Sequence, residues 1–395
     1  MMESKVAPTQ EKERLLELDV LRGIALFGIL VVNMSYFSTP ALLVDILGLS
    51  KSEGLLNEVV VVIMAVAFEF KFVSLFSFLF GVGFALFLSK LQRKEVHAGS
   101  IYRRRIRFLL VVGLIHLFLF WYGDILTLYA LIAFLLPFYL KKKNRTLLVW
   151  SGALLIMPLV LLSLLLLIGF DSGDSFPQVA GDMYDQALYA YSNGSAWEIF
   201  MQRLVDIAMI YQGYILMAPV ILGLFLLGMY AWQSRLITNA KQHQGTMKRI
   251  RNYSFCIGFP FALLSVWAQS YVDSISSPYY VIQYIGYSVS GPALALFYVS
   301  ALYVCMRSQR FRVIVAFLQP VGRMAFTNYL LQTLICTTLF YSYGLGLFGS
   351  VDPAGGFLLA VVIFTIQVFM SRYWLSRYKS GPMEWLWRKY TYKLP

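Results

Sequence analysis

The first apolar run of the chain contains three side chains that could do chemistry, namely Asp19, Arg22 and Asn33. Asp19 and Arg22 lie three residues apart, so in a helix they share a face. Asn33 follows Arg22 by eleven residues, close to three helical turns, and projects from the same stripe. An ionised side chain at the centre of a membrane helix costs about 2.5–3.5 kcal/mol on insertion scales. The stripe therefore predicts a helix that lines a polar cavity rather than one that faces lipid.

The same three residues also allow structural interpretations. Asp19 and Arg22 could form an ion pair, or the long stem of Arg22 could reach the inner headgroups. Asn33 could hydrogen-bond a neighbouring helix, a contact worth about 0.6–2 kcal/mol. A structural pair and a ligand-binding role for Arg22 can coexist.

A second stripe combines Arg105 and His116, which are also eleven residues apart. A neutral histidine can accept or donate a proton near physiological pH. Asp124, at the turn that follows, could fix the tautomer of His116. This pattern favours His116 as a general base, and the alternative is a buried histidine that holds helices together.

A third polar group begins with Arg323 and continues with Asn328 and Gln332, which lie one turn apart on one helix face. Guanidinium groups suit phosphate oxygens, so these arginines could hold a polyphosphate. The enrichment of Lys and Arg in cytoplasmic loops would also place arginines there. The predicted ligand-binding set is Asp19, Arg22, Arg105, Arg107, Arg323 and Asn328.

Composition identifies the elements that must position these groups. Of 395 residues, 59% are hydrophobic and 13% are charged, whereas a soluble domain is about a quarter charged. We therefore expect an all-α polytopic membrane protein. The net charge of +13 lies mostly in short loops between apolar runs, which argues against nucleic-acid binding. Three cysteines in apolar runs and three histidines without cysteine neighbours predict neither a disulfide framework nor a metal site.

Apolar segments of membrane-spanning length predict about ten helices within a single domain over residues 1–380. Basic loops alternate with acidic ones, which places both termini in the cytoplasm. Residues 381–395 mix Trp and Tyr with cations and predict an interfacial cytoplasmic tail. Segment 55–70 is expected to form an outer-surface or re-entrant helix, and the outer loop at about 170–207 is expected to contain another interfacial helix that includes Trp197. The predicted spans are 16–38, 72–89, 106–122, 124–140, 146–169, 208–232, 253–271, 281–305, 318–341 and 356–376.

Five motifs, spread over nearly the whole chain, carry a family resemblance. They are Leu18–Gly23 with Asn33, Phe76–Phe84, Arg104–Arg105 through His116 to Gly123–Leu126 with Tyr129–Ala130, Gly322–Leu330, and Gly381–Arg388. Together they resemble the YeiB-like bacterial membrane proteins, a family labelled a domain of unknown function.

That family is in turn similar to the transmembrane acyltransferases, which include heparan-glucosaminide N-acetyltransferase and bacterial sugar O-acetyltransferases. The similarity rests mainly on the Asp-x-x-Arg-Gly and Asn positions of the first helix and on the ten-span layout. It implies that acyl-CoA is held from the cytoplasmic side, with Arg22 and Asn33 at matching positions. The catalytic histidine of the heparan enzyme lies shortly after the first-helix Asn, but residues 34–71 contain no histidine here. Either His116 has that role by a different route, or this branch does other chemistry.

Three functions remain open from sequence. The first is an acyltransferase of the bacterial cytoplasmic membrane that moves an acyl group from cytoplasmic acyl-CoA to an extracytoplasmic glycan or lipid-linked acceptor. In it His116, Asn33 and Asp124 are the catalytic residues. The second is a small-molecule transporter or exporter, and the third is a non-catalytic membrane scaffold. The bilayer is an expected partner in all three, and a homodimer is left open.

Overall fold

A computed structural model of the protein describes residues 15–47, 54–92, 98–167, 176–238, 242–272, 277–306 and 308–393. These residues form helices and connecting turns, and no strand is found among them. Three stretches of the predicted layout lie outside the described residues, namely 168–169 of the fifth span, 170–175 of the outer segment, and 394–395 of the tail.

Fifteen α-helices are found in the described residues. The first eight are α1 (Leu16–Ser38), α2 (Ala41–Ile46), α3 (Leu55–Ala67), α4 (Lys71–Gln92), α5 (Ala98–Ile115), α6 (Leu126–Ala133), α7 (Asn144–Leu167) and α8 (Phe176–Asn193). The others are α9 (Ala196–Gln233), α10 (Gln244–Gln269), α11 (Pro278–Cys305), α12 (Arg312–Arg323), α13 (Ala325–Phe340), α14 (Pro353–Arg377) and α15 (Pro382–Tyr392). A π-helical turn at His116–Phe120 extends α5, and a 3-10 turn at Leu136–Tyr139 follows α6.

The described part of the chain contains six helical stretches that are long and apolar enough to cross a membrane. They are 16–38, 55–91, 144–164, 196–233, 278–305 and 353–377. The protein is therefore a multi-pass helical membrane protein. Of the other four predicted spans, 253–271 falls almost entirely on the continuous helix α10. The remaining three fall on broken elements, namely α5 with its π-helical turn, α6 with its 3-10 turn, and α12 and α13, which are separated at Met324.

The first predicted span, 16–38, coincides with α1. The sixth does not begin at residue 208, because α9 runs without a break from Ala196 to Gln233. Ser195 starts this helix through a capping box with Glu198, and Pro219 is accommodated inside it. At 1.5 Å per residue its 38 residues extend about 57 Å, well beyond a hydrocarbon core of about 30 Å. The aromatic outer segment that includes Trp197 is thus the first part of a long helix rather than a separate one.

Glycines bring the central helices into close contact. The Gly81 position in α4 lies against the backbone of Phe225 in α9, and Gly322 in α12 lies against the carbonyl of Asp19 in α1. A side chain at either position would collide with backbone, so these glycines set the spacing of the helices. Gly81, in the Phe76–Phe84 motif, therefore serves helix packing.

Candidate functional site

A cavity of about 1150 Å³ lies among α1, α4, α5, α6, α9, α12, α13 and α15. It reaches the end of the bundle at which α1 and α13 begin and α4 ends, where Arg235 and Thr238 are exposed. We call this the basic end. From there the cavity runs inward to Ile29 in α1, Ile125 before α6 and Tyr329 in α13.

The walls near the basic end carry an excess of positive charge. Six cationic side chains line the cavity among the described residues, against two carboxylates, Asp19 and Glu384. The cations are Arg22, Lys90, Arg105, Arg235, Arg323 and Arg388. Asp19 is ion-paired with Arg22, with Oδ1 3.0 Å from Nη1, and Glu384 accepts hydrogen bonds from the start of α13. Both carboxylates are thus engaged, and the cavity favours an anionic ligand.

Four of the six residues predicted to bind a ligand come together here. Asp19, Arg22, Arg105 and Arg323 line the cavity, although they come from three helices far apart in sequence. Arg107 is exposed and lies outside the lining, because it is two residues from Arg105 and so points from another face of α5.

Asn328 also lies outside the cavity lining, and its amide is used in helix packing instead. Its Nδ2 donates to Ser371 Oγ at 2.8 Å, and its backbone carbonyl accepts from Gln367 Nε2 at 2.9 Å. Gln332, one turn later, donates to Gln367 Oε1 at 2.9 Å. The polar face of α13 therefore holds α14, a role that spacing alone could not separate from ligand binding.

His116 and Asp124 form a buried pair beyond the inner end of the cavity. Nδ1 of His116 lies 2.7 Å from Asp124 Oδ1, and Asp124 Oδ2 accepts from the Thr127 backbone N–H at 2.7 Å. On the other side of the ring, His116 Nε2 lies 2.8 Å from Thr333 Oγ1. His116 opens the π-helical turn, which closes with a hydrogen bond from Trp121 N–H to the His116 carbonyl. Such turns occur often at functional sites.

Tyr329 separates this pair from the cavity. Its ring lines the cavity, and its centroid lies 5.3 Å from that of His116, which is itself 2% exposed. Asn33 is half-buried in α1, one turn beyond Ile29, which is the farthest cavity-lining residue along that helix. The polar stripe of α1 therefore continues past the cavity toward the level of His116. Arg22 lines the cavity, and Asn33 lies beyond its inner end.

Comparison with known proteins shows the family. The profile of a family described as "Protein of unknown function (DUF418)" matches residues 231–394. The chain is 36% identical to the uncharacterized protein YxaH of Bacillus subtilis, covering 98% of this chain and 97% of that protein. It is 30% identical to the uncharacterized protein YeiB of Escherichia coli, covering 96% of each. The chain belongs to the YeiB-like DUF418 family. No solved structure matches it.

The part matched by the DUF418 profile includes cavity residues that sequence reasoning did not single out. Trp387 and Arg388 of α15 line the cavity, and the Arg105 guanidinium carbon lies 3.8 Å from the Trp387 ring centroid. The tail was predicted only as an interfacial segment, and its motif gave no sign that it folds back over α5. Tyr329 and Thr333 were likewise missed, although their spacing of four places them on one face of α13.

No group of three or more His, Cys, Asp or Glu side chains is placed to hold a metal ion in the described residues. The cationic cavity and the His116–Asp124 pair are the two features of this DUF418 protein from which its chemistry is argued below.

Proposed function

We propose that the protein is an acyltransferase that moves an acyl group from cytoplasmic acyl-CoA to a glycan or lipid-linked acceptor across the bacterial cytoplasmic membrane. The observation that carries the proposal is one cavity with arginines at its basic end and a histidine–carboxylate pair just beyond its inner end. The distribution of loop charges supports an arrangement of ten crossings with both termini in the cytoplasm, and in that arrangement the basic end faces the cytoplasm.

The donor is held by charge at one end and by apolar contact further in. Arg22, Arg105 and Arg323 bind the phosphates, because guanidinium N–H groups match phosphate oxygens. Further in, the lining is mostly apolar or aromatic, with Phe76, Phe80 and Leu126 among its members. These side chains suit a pantetheine arm and an acyl chain. Arg105 and His116 are eleven residues apart on one helix, about 16 Å along its axis, so the thioester lies deep when the phosphates are near the basic end.

The chemistry then requires one base. A hydroxyl or amine attacks the thioester carbonyl, and His116 Nε2 takes its proton while the new bond to carbon forms. The C–S bond breaks, and the proton passes to the thiolate to give free CoA. Asp124 holds the imidazole in the tautomer with a proton on Nδ1, and Asn33 orients the acceptor or stabilises the oxyanion.

Thermal stabilisation of the purified protein by CoA and by acyl-CoAs of increasing chain length tests the proposal. A ligand at 100 times its Kd stabilises the folded state by about 2.7 kcal/mol. Arg22→Ala should abolish the stabilisation, whereas Arg107→Ala removes the same charge from an exposed position outside the cavity and should leave it unchanged. Absence of stabilisation by CoA and by every acyl-CoA would overturn the proposal.

A transporter is the second candidate, because a cavity that reaches one end of the bundle is also the form of a carrier open to one side. In vesicles a transporter would show substrate flux coupled to an ion gradient, and His116→Ala would uncouple it. A scaffold would show neither flux nor ligand stabilisation.

A further inference from the structure

The hydroxyl of Thr333 in α13 has an unusual hydrogen-bond partner for a threonine within a helix. Its Oγ1 lies 2.8 Å from His116 Nε2, and the side chain is 1% exposed. Two other threonines of the same helix, Thr337 and Thr338, direct their hydroxyls back to the Leu334 carbonyl, which is the usual local contact of a helical threonine. Thr333 instead contributes its hydroxyl to the histidine pair.

The direction of this hydrogen bond follows from the network. An ionised carboxylate only accepts, so the His116 Nδ1 that faces Asp124 carries the proton. Nε2 of the neutral ring is then an acceptor, and the Thr333 hydroxyl donates to it. The order carboxylate, imidazole, hydroxyl is the arrangement that activates a hydroxyl as a nucleophile.

We propose that Thr333 is the acyl-accepting nucleophile of a two-step transfer. This inference rests on the acyltransferase function proposed above and replaces the direct attack of the acceptor on the thioester by a covalent route. In the first step Thr333 Oγ1 attacks the thioester carbonyl, His116 Nε2 takes the hydroxyl proton, the ester bond forms and the C–S bond breaks. The proton then moves from His116 to the thiolate, which leaves as CoA.

The second step returns the enzyme to its starting state. The acceptor hydroxyl or amine gives its proton to His116 and attacks the Thr333 ester carbonyl. A new ester or amide forms, the bond to Oγ1 breaks, and Oγ1 regains the proton from His116. No oxidant, reductant or further reactant is required.

The position of Thr333 suits this route. It lies one turn after Tyr329, which lines the inner part of the cavity, so Thr333 is the next residue inward on that face of α13. CoA binds from the basic end and need not cross the bilayer. Only the acyl group remains on Thr333, ready for transfer to the acceptor in the second step.

Acyl exchange in the absence of any acceptor tests the inference. Purified protein is incubated with acetyl-CoA, and separately with longer acyl-CoAs, together with isotope-labelled CoA. A covalent route transfers the acyl group to labelled CoA and leaves an acyl adduct on the peptide that contains Thr333. Thr333→Val, which keeps the shape and removes the hydroxyl, should lower exchange by roughly 10³-fold or more and abolish the adduct. Thr333→Ser should retain part of the exchange.

Thr337→Val on the same helix is the matched control and should exchange like the unaltered protein. Stabilisation by CoA, measured on every variant, shows that the cavity still forms. If acyl-CoA stabilises the protein but exchange is absent, survives Thr333→Val, or leaves its adduct on another residue, the Thr333 inference is overturned and the acyltransferase proposal stands. If neither CoA nor any acyl-CoA stabilises the protein, both fail.

Discussion

The indole of Trp387 lies against the guanidinium of Arg105, with 3.8 Å between the guanidinium carbon and the ring centroid. The indole Nε1 also donates to the Arg105 carbonyl at 2.9 Å, and Phe87 contacts the guanidinium at 4.9 Å. Stacking occupies the faces of the guanidinium and leaves its N–H groups in the plane, where they can bind phosphate oxygens. The C-terminal helix α15 therefore takes part in forming the cationic wall of the cavity.

Trp387→Ala should weaken CoA binding without preventing folding. A cation–π contact is worth about 0.5–2 kcal/mol, so the Kd for CoA should rise about 2- to 30-fold. Trp385→Ala is the matched control, because Trp385 lies on the same helix, is exposed, and has Lys389 beside its ring. Isothermal titration of both variants with CoA measures the two Kd values. An equal rise in Kd for the two variants would show that CoA binding by Arg105 does not depend on Trp387.

Glu384 attaches α15 to the start of α13. Its Oε1 accepts from the Phe326 backbone N–H at 2.8 Å, and its Oε2 accepts from Thr327 Oγ1 at 2.6 Å. Burial raises the pKa of Glu384 above its usual value, although these hydrogen bonds oppose the shift. A group whose pKa is raised on folding contributes stability that is present below its unfolded pKa and is lost as pH rises through the folded pKa.

The melting temperature should therefore fall between acidic and neutral pH by more in the unaltered protein than in Glu384→Gln, which cannot ionise at this position. The comparison at each pH removes the contribution of all other titrating groups. If the melting temperature depends on pH in the same way for the two proteins, ionisation of Glu384 does not affect the stability of the fold.

Sequence predicted the parts of this site that depend on one helix at a time. The span 16–38, the Asp19–Arg22 pair and the proximity of Asp124 to His116 all follow from spacing within one segment or across one turn, and the structure contains each of them. The contact of His116 with Thr333 joins residues 217 positions apart, so no local period could predict it.

The role of Asn328 shows a second limit. An amide one turn from another amide predicts a polar helix face, but the same face can meet a ligand or a neighbouring helix. Here Gln367 and Ser371 of α14 accept hydrogen bonds from the amides of this face, so the face meets a neighbouring helix.

The packing of α15 over Arg105 is also a tertiary contact that the sequence could not predict. An amphipathic tail rich in Trp and Tyr is equally compatible with the membrane interface alone.

Gly113→Ala should disturb the His116–Asp124 pair through packing alone. A Cβ at this position would lie 2.6 Å from the Thr127 backbone nitrogen, whose N–H binds Asp124. Overpacking of this kind costs about 1–3 kcal/mol, so the melting temperature should fall. Gly99→Ala is the control in the same helix, because nothing lies within 4 Å of its Cβ and alanine is the better helix former. An unchanged melting temperature for Gly113→Ala would mean that α5 and α6 can move apart freely.

Asp124→Asn should separate a structural role of His116 from a catalytic one. Asp124 accepts from both His116 Nδ1 and the Thr127 N–H, and a single amide oxygen cannot reproduce both contacts with the same geometry. If the amide nitrogen faces His116, the imidazole must carry its proton on Nε2, and the Thr333 hydroxyl can no longer donate to it. We expect a stability loss of about 1–3 kcal/mol. We also expect acyl exchange to fall by orders of magnitude, as when the carboxylate of a Ser-His-Asp triad is replaced by an amide.

Asp352→Asn supplies the comparison for that variant. Asp352 caps α14 from an exposed position by accepting from the Gly355 N–H at 2.8 Å, and asparagine caps helices about as well as aspartate. Stability and exchange should both be unchanged there. A stability loss in Asp124→Asn with exchange intact would show that the His116–Asp124 pair only joins helices. Loss of exchange in protein that CoA still stabilises would show instead that the tautomer of His116 controls the chemistry, because the cavity remains while only the proton position has changed.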